Sequence, residues 1–117
     1  MSERLTEFRT FRERRNERLL EEGNLELKRF FALDGRVYDD GALPSRTKEL
    51  LGLVASTVLR CDDCIAYHVD RCHAEGVSGE ELQEVLSVGL VVGGSIVIPH
   101  LRRAVRAWQE LSEGTAG

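Results

Sequence analysis

All three cysteines and one of the three histidines of this 117-residue chain fall within Arg60–Cys72, RCDDCIAYHVDRC. Side chains of these types at close spacing can ligate a metal, staple the fold, or move electrons and protons as a thiol pair. On one continuous helix, Cys61, Cys64, His68 and Cys72 lie at about 0°, 300°, 340° and 20°, a single stripe about 16 Å long. That is too long to surround one zinc ion from one helix. Cys61, Cys64 and His68 could supply three ligands if Cys61 sits in a non-helical lead-in, with His73 or His100 as a fourth. No second CxxC or HxxxH follows in the sequence, so a metal-binding or sensing module is the runner-up reading.

A redox-active dithiol fits the pattern better. With Cys61 at the helix start, Asp62 and Asp63 occupy the first turn, where the helix dipole favours negative charge. The same free N–H groups favour a thiolate there. His68, four residues after Cys64, can take a thiol proton directly or through a water. One sulfur can then attack an electrophile such as a peroxide oxygen and become a sulfenic acid, and the other condenses with it to give a disulfide and water. Asp62 and Asp63 oppose this, because like charges beside a thiolate raise its pKa. The sequence leaves that balance open. Cys72 reads as a buried structural thiol, His73 as a surface or interface residue, and His100, beside Pro99, as a packed or capping residue. A helical CxxC with neither metal nor redox role is the plain alternative.

Helices must position these side chains. A first is expected over Thr6–Glu22, with Leu5, Phe8, Phe11 and Leu19 facing inward and a stop at Gly23. Leu25, Leu27, Phe30, Phe31 and Leu33 suggest a second, ending near Asp34-Gly35, followed by a turn from Tyr38 to Pro44. Ser45 is placed to cap a third, SRTKELLGLVASTVLR, whose apolar residues on most sides imply burial. The cysteine stretch forms a fourth that ends near Gly76. Ser78 and Glu81 match a capping box opening a fifth, which lasts to Gly93-Gly94. A sixth, with Pro99 in or near its first turn, runs through Trp108 to about Leu111, leaving Gly114–Gly117 as a frayed tail. No strand alternation or internal repeat is visible, so the expected fold class is all-α. Gly89, Gly93 and Gly94 belong to neither a phosphate loop nor a dinucleotide fingerprint and point to close helix packing, within or between subunits.

The bulk properties agree with a single domain over residues 1–117. A net charge of −4 argues against a nucleic-acid partner. Residues 1–29 carry eight Arg/Lys and seven Glu in mixed order, the mark of a solvated helix face. Charged residues follow Met1, and the most apolar run, Val85–Ile98, falls short of the roughly 18 residues a spanning helix needs. No membrane partner and a cytoplasmic location are expected, where three cysteines are no disulfide framework.

The run KELLGLVASTVLRCDDCIAYHVDRCHAEGVSGEELQEVL resembles the carboxymuconolactone decarboxylase-like superfamily, in its alkylhydroperoxidase AhpD-like branch. The shared pattern is Glu-x11-Cys-x2-Cys-x3-His, met by Glu49, Cys61, Cys64 and His68 without a gap, and the likeness extends over about Asp39 to Gly94. It implies an all-α domain of about six helices, assembled as a trimer or hexamer. The implied activity is a thiol-based peroxidase or disulfide reductase without a bound cofactor. Cys64 would attack the hydroperoxide, Cys61 resolve it, and Glu49 and His68 relay protons. The reductant would be a dithiol, on a lipoyl protein or a thioredoxin-like protein. Glu49 lies about 18 Å from Cys61 along a continuous helix, so the relay requires a chain break near Leu59-Arg60. The AhpD peroxidase itself is a longer, two-repeat chain with a histidine where this chain has Asp63. That exchange weighs against strong peroxidase activity and leaves disulfide reduction open. The decarboxylase branch, acting on a lactone or acid, generally lacks the cysteine pair and ranks below.

Overall fold

Short-range signals start and stop most of the helices. The computed structural model describes residues 3–116, with side chains from 6 to 113. They form α1 (Glu3–Glu22), α2 (Leu25–Val37), α3 (Ser45–Leu59), α4 (Asp62–Ala74), α5 (Gly79–Gly93), a 3-10 turn (Ser95–Val97) and α6 (Ile98–Ala116). There is no strand among the described residues, as the all-α expectation requires.

The capping box of α5 is complete: Glu81 N–H donates to Ser78 Oγ at 3.1 Å, and Ser78 N–H donates to Glu81 Oε1 at 2.9 Å. α4 ends on Gly76, whose φ of +82° is open to glycine at no steric cost. The backbone N–H groups of Gly76 and Val77 close that end on the carbonyls of His73 and Cys72, both at 3.1 Å. Asn24 caps α2 by accepting from Leu27 N at 3.0 Å.

Other boundaries differ from expectation. α2 passes through Gly35 to Val37, since an isolated glycine weakens a helix without ending it. Ser45 is the first residue of α3 and not its cap: Pro44 precedes it, and the Ser45 N–H is taken by Asp40 Oδ1 at 2.6 Å. α6 extends to Ala116, through most of the segment expected to fray, while Gly117 lies outside the described residues.

The core is built by α3 to α6. α3 packs on α4 and α5, and α4 packs on α6. Leu53, Ile65, Val69, Cys72, Leu82, Leu86, Ala104 and Leu111 meet at the centre, where a fully buried Leu, Ile or Val contributes roughly 1.5–3 kcal/mol. Gly89 lets α5 approach α3: a Cβ there would sit 2.4 Å from Thr57 Oγ1, so this glycine serves packing inside the chain.

α1 and α2 lie on the outside of this core. Phe8 packs against it, but Phe11 is 63% exposed and Leu19 is also exposed, contrary to the expected inward face; the Leu5 side chain lies outside the described residues. Arg9 fastens α1 to α4 through both oxygens of Asp70, with Nε 2.7 Å from Oδ2. α2 buries none of its residues, and α3, read as apolar on most sides, leaves Leu51 and Leu59 in solvent. No helix among the described residues is long and apolar enough to cross a membrane.

Candidate functional site

The site is made by a break in the chain. Arg60 takes the left-handed conformation, φ 59° and ψ 40°, and it is the single non-glycine residue with positive φ among those described. Its N–H reaches Thr57 O at 3.1 Å, and Cys61 N–H reaches Ser56 O at 3.1 Å, which closes the carbonyl end of α3. Cys61 is then extended and becomes the N-cap of α4, its Sγ accepting from Cys64 N at 3.3 Å. The interruption falls at the expected Leu59-Arg60 position. It folds α3 back along α4, so that Glu49 Oε2 lies 2.8 Å from His68 Nδ1.

Glu49 is 3% exposed and His68 is 8% exposed. A carboxylate can only accept, so His68 carries its proton on Nδ1 and leaves the Nε2 lone pair free to take another. The Cε1–Nε2 edge of the ring passes close to Gly52 on α3. A Cβ at Gly52 would stand 2.6 Å from His68 Cε1, 2.9 Å from Nε2 and 2.8 Å from the Tyr38 hydroxyl. The absent side chain is therefore the space in which imidazole and phenol meet. Burial, followed by the Glu49 carboxylate, pushes the Tyr38 hydroxyl above its ordinary pKa, which keeps it a donor.

Cys61 and Cys64 are joined as a disulfide, with Cα atoms 5.3 Å apart. Cys64 is exposed and Cys61 is half-buried. Cys64 and His68 open onto one cleft of about 380 Å³ between α1, α2 and α4, together with Tyr38, Tyr67, Phe8 and Phe11. Arg12 and Arg15 also border it, Arg12 stacking its guanidinium 4.5 Å above the Tyr67 ring. Asp34 and Asp63 supply negative charge to the same walls. The cleft thus holds an exposed sulfur and a buried imidazole oriented by a carboxylate.

The other sequence candidates have separate places. Cys72 is fully buried, and burial followed by the Glu49 charge pushes its thiol up to about 12. It stays protonated and inert near neutrality. The His73 ring packs edge-on against Trp108, with centroids 5.1 Å apart. His100 faces the first turn of α4, its Nδ1 2.7 Å from Asp62 Oδ1. No group of three or more His, Cys, Asp or Glu among the described residues is placed to hold a metal ion.

Spacing did not reveal Tyr38, Gly52, Tyr67, Arg12 or Arg15. Two of these five come from α1 and a third, Tyr38, directly follows α2, and the place of these elements beside the cysteines is decided by tertiary packing. The one local signal was Gly52 itself, a poor helix former within a helix that otherwise continues unbroken.

The profile of the carboxymuconolactone decarboxylase family matches residues 16–109. The chain is 32% identical over 82 residues to an uncharacterized cox-locus protein of Paracoccus denitrificans, covering 70% of this chain and 74% of that one. It resembles a Thermotoga maritima protein in two crystal structures. One has a TM-score of 0.92 at 59% identity, over 94% of this chain and 96% of the other. The second has a TM-score of 0.88 at 60% identity, over 92% and 91%, and is described as a family member with a suggested part in the antioxidative response. A family protein of Legionella pneumophila, 24% identical, shares the fold with a TM-score of 0.86 over 95% of this chain and 99% of that one.

Proposed function

The chain belongs to the carboxymuconolactone decarboxylase family, and from that premise we propose that it is a thiol-based antioxidant oxidoreductase that cycles Cys61 and Cys64 between dithiol and disulfide. The observation that carries this reading is the Glu49–His68 pair buried beside an exposed cysteine already bonded to its neighbour. In the reduced state Cys64, the more exposed sulfur, gives its proton to His68 Nε2, directly or through a water. Its thiolate attacks the terminal oxygen of an organic hydroperoxide. The O–O bond breaks, Cys64 becomes a sulfenic acid, and the departing alkoxide takes the proton held by His68 and leaves as an alcohol. Cys61 then displaces the sulfenic oxygen as water and forms the disulfide. A dithiol reductant, on a lipoyl or thioredoxin-like protein, restores both thiols by exchange. Glu49 holds the tautomer of His68 and stabilises the imidazolium formed on proton uptake.

The test is a thiol count on reduced, denatured protein before and after one equivalent of cumene hydroperoxide, with the disulfide located by mass mapping. Loss of two thiols as a Cys61–Cys64 bridge is expected, with peroxide consumption lost in Cys64→Ser. Equal peroxide reactivity in the wild type and Cys64→Ser would remove the assignment.

A further inference from the structure

Asp62 stands between the two cysteines, at the first helical position of α4, and is not among the residues lining the cleft that holds Cys64 and His68. It is gripped from α6. His100 Nδ1 donates to Oδ1 at 2.7 Å, and Arg103 Nη1 donates to Oδ2 at 3.1 Å. Both oxygens are thus engaged by a helix that contributes nothing else to the proton relay. Asp63, the next residue, is exposed and makes no ion pair among the described residues.

This contact bears on the chemistry of the reduced pair. A free carboxylate at Asp62 would be a like charge beside any thiolate formed at Cys61 or Cys64, and would disfavour it. Held by two donors, one of them a permanent cation, the same carboxylate retains its favourable interaction with the α4 N-terminus while its repulsion is largely cancelled. We propose that His100 and Arg103 are positioning residues which act through Asp62 to raise the thiolate fraction of the reduced Cys61–Cys64 pair.

Other charges also face the pair and set its baseline. α4 itself carries Asp63 and His68, with Tyr67 beside them. Arg12 and Arg15 lean in from α1, and Asp34 and Tyr38 from α2. α3 acts through Glu49 on His68, and Arg60 lies at the junction. On the α6 side, Arg106 pairs with Glu110 at 3.4 Å beside Asp62 and Asp63. These groups are present in variant and wild type alike, and reversal by Asp62→Asn is what separates the clamp from them.

The experiment follows the alkylation rate of Cys64 by iodoacetamide in fully reduced protein across pH, with the labelled residue located by mass mapping. In the double variant His100→Gln/Arg103→Gln, the midpoint of the rate profile is expected to rise by about half a unit to one unit. That is about three- to tenfold less thiolate at a fixed pH below the midpoint. Adding Asp62→Asn to the double variant should return the midpoint to the wild-type position, since the unopposed charge is then gone. Arg103→Gln alone, at a largely exposed side chain, gives a smaller shift of the same sign and serves if the double variant folds poorly. An unchanged midpoint overturns the proposal. So does a rise that Asp62→Asn fails to reverse, which would make the contact a structural fastening only. The readout involves no peroxide, so a failure of the peroxidase reading leaves this test standing.

Discussion

Gly52 decides how close the α3 backbone can come to His68 and Tyr38. A methyl group there would overlap His68 and the Tyr38 hydroxyl together, and His68 cannot retreat freely because its Nδ1 is tied to Glu49, one turn from Gly52 on the same helix. Gly52→Ala is therefore expected to destabilise the fold by about 1–3 kcal/mol, the usual cost of overpacking, despite the higher helix propensity of alanine. It should also slow oxidation of the reduced pair by hydroperoxide. Thermal unfolding and stopped-flow thiol oxidation measure the two effects. A stabilised variant with wild-type kinetics would show that the space beside His68 is not needed. At this scale the sequence was half legible. Cys61, Cys64 and His68 stand at spacings whose meaning is local, and a helix with a capping cysteine follows from them. Glu49 was reached only through family resemblance, because its approach to His68 depends on one left-handed residue, Arg60, that nothing in its side chain announces. Tyr38 and Gly52 meet across three helices and have no signature along the chain.

Between elements, α5 is held to α3 by one carboxylate with two duties. Glu81 closes the capping box with Ser78 and also pairs with Arg46 on α3. The Arg46 guanidinium, followed by the Ser78 backbone N–H, lowers the Glu81 carboxyl from 4.5 to about 2. A carboxyl whose folded-state pKa is depressed adds stability that is complete above its unfolded value. It is lost as pH falls through about 4.5 toward about 2. Glu81→Gln, which keeps the shape of the cap, should thus flatten the acid limb of stability against pH in that window. Denaturant unfolding at pH 5, 4 and 3 tests this, and parallel pH profiles for variant and wild type would refute it. Element boundaries were legible where their cause was local, as at Ser78, Glu81 and Gly76. One was misread because the cause was a neighbour, Asp40 taking the cap role assigned to Ser45; α2 outlasts its glycine because an isolated glycine weakens a helix without ending it.

Among the described residues, large apolar side chains stand in solvent in groups on two helices. α2 buries no residue, and Phe30, Leu33 and Val37 lie exposed along one of its faces. On α5, Val88, Val91 and Val92 share an outer face, Val91 at 85% exposure and Val92 at 67%, with Ile96 exposed just beyond. Contiguous exposed apolar faces of this kind typically mark surfaces that another chain covers. The apolar residues of α2 read from the sequence only as a second helix, and nothing in a single chain's pattern distinguishes a face turned to its own core from one turned to a second copy. We expect a homo-oligomer, a trimer or hexamer by family resemblance, with these faces inside it. Val91→Asp/Val92→Asp places two charges on the outer face of α5 without touching the cleft. Sedimentation should then show smaller species than the wild type, and thermal unfolding a lower midpoint that depends less on protein concentration. A wild type that sediments as a monomer at micromolar concentration would refute the assembly. α2, which has no fully buried residue within its own chain, would then hold one wall of the cleft through α1 and Tyr38.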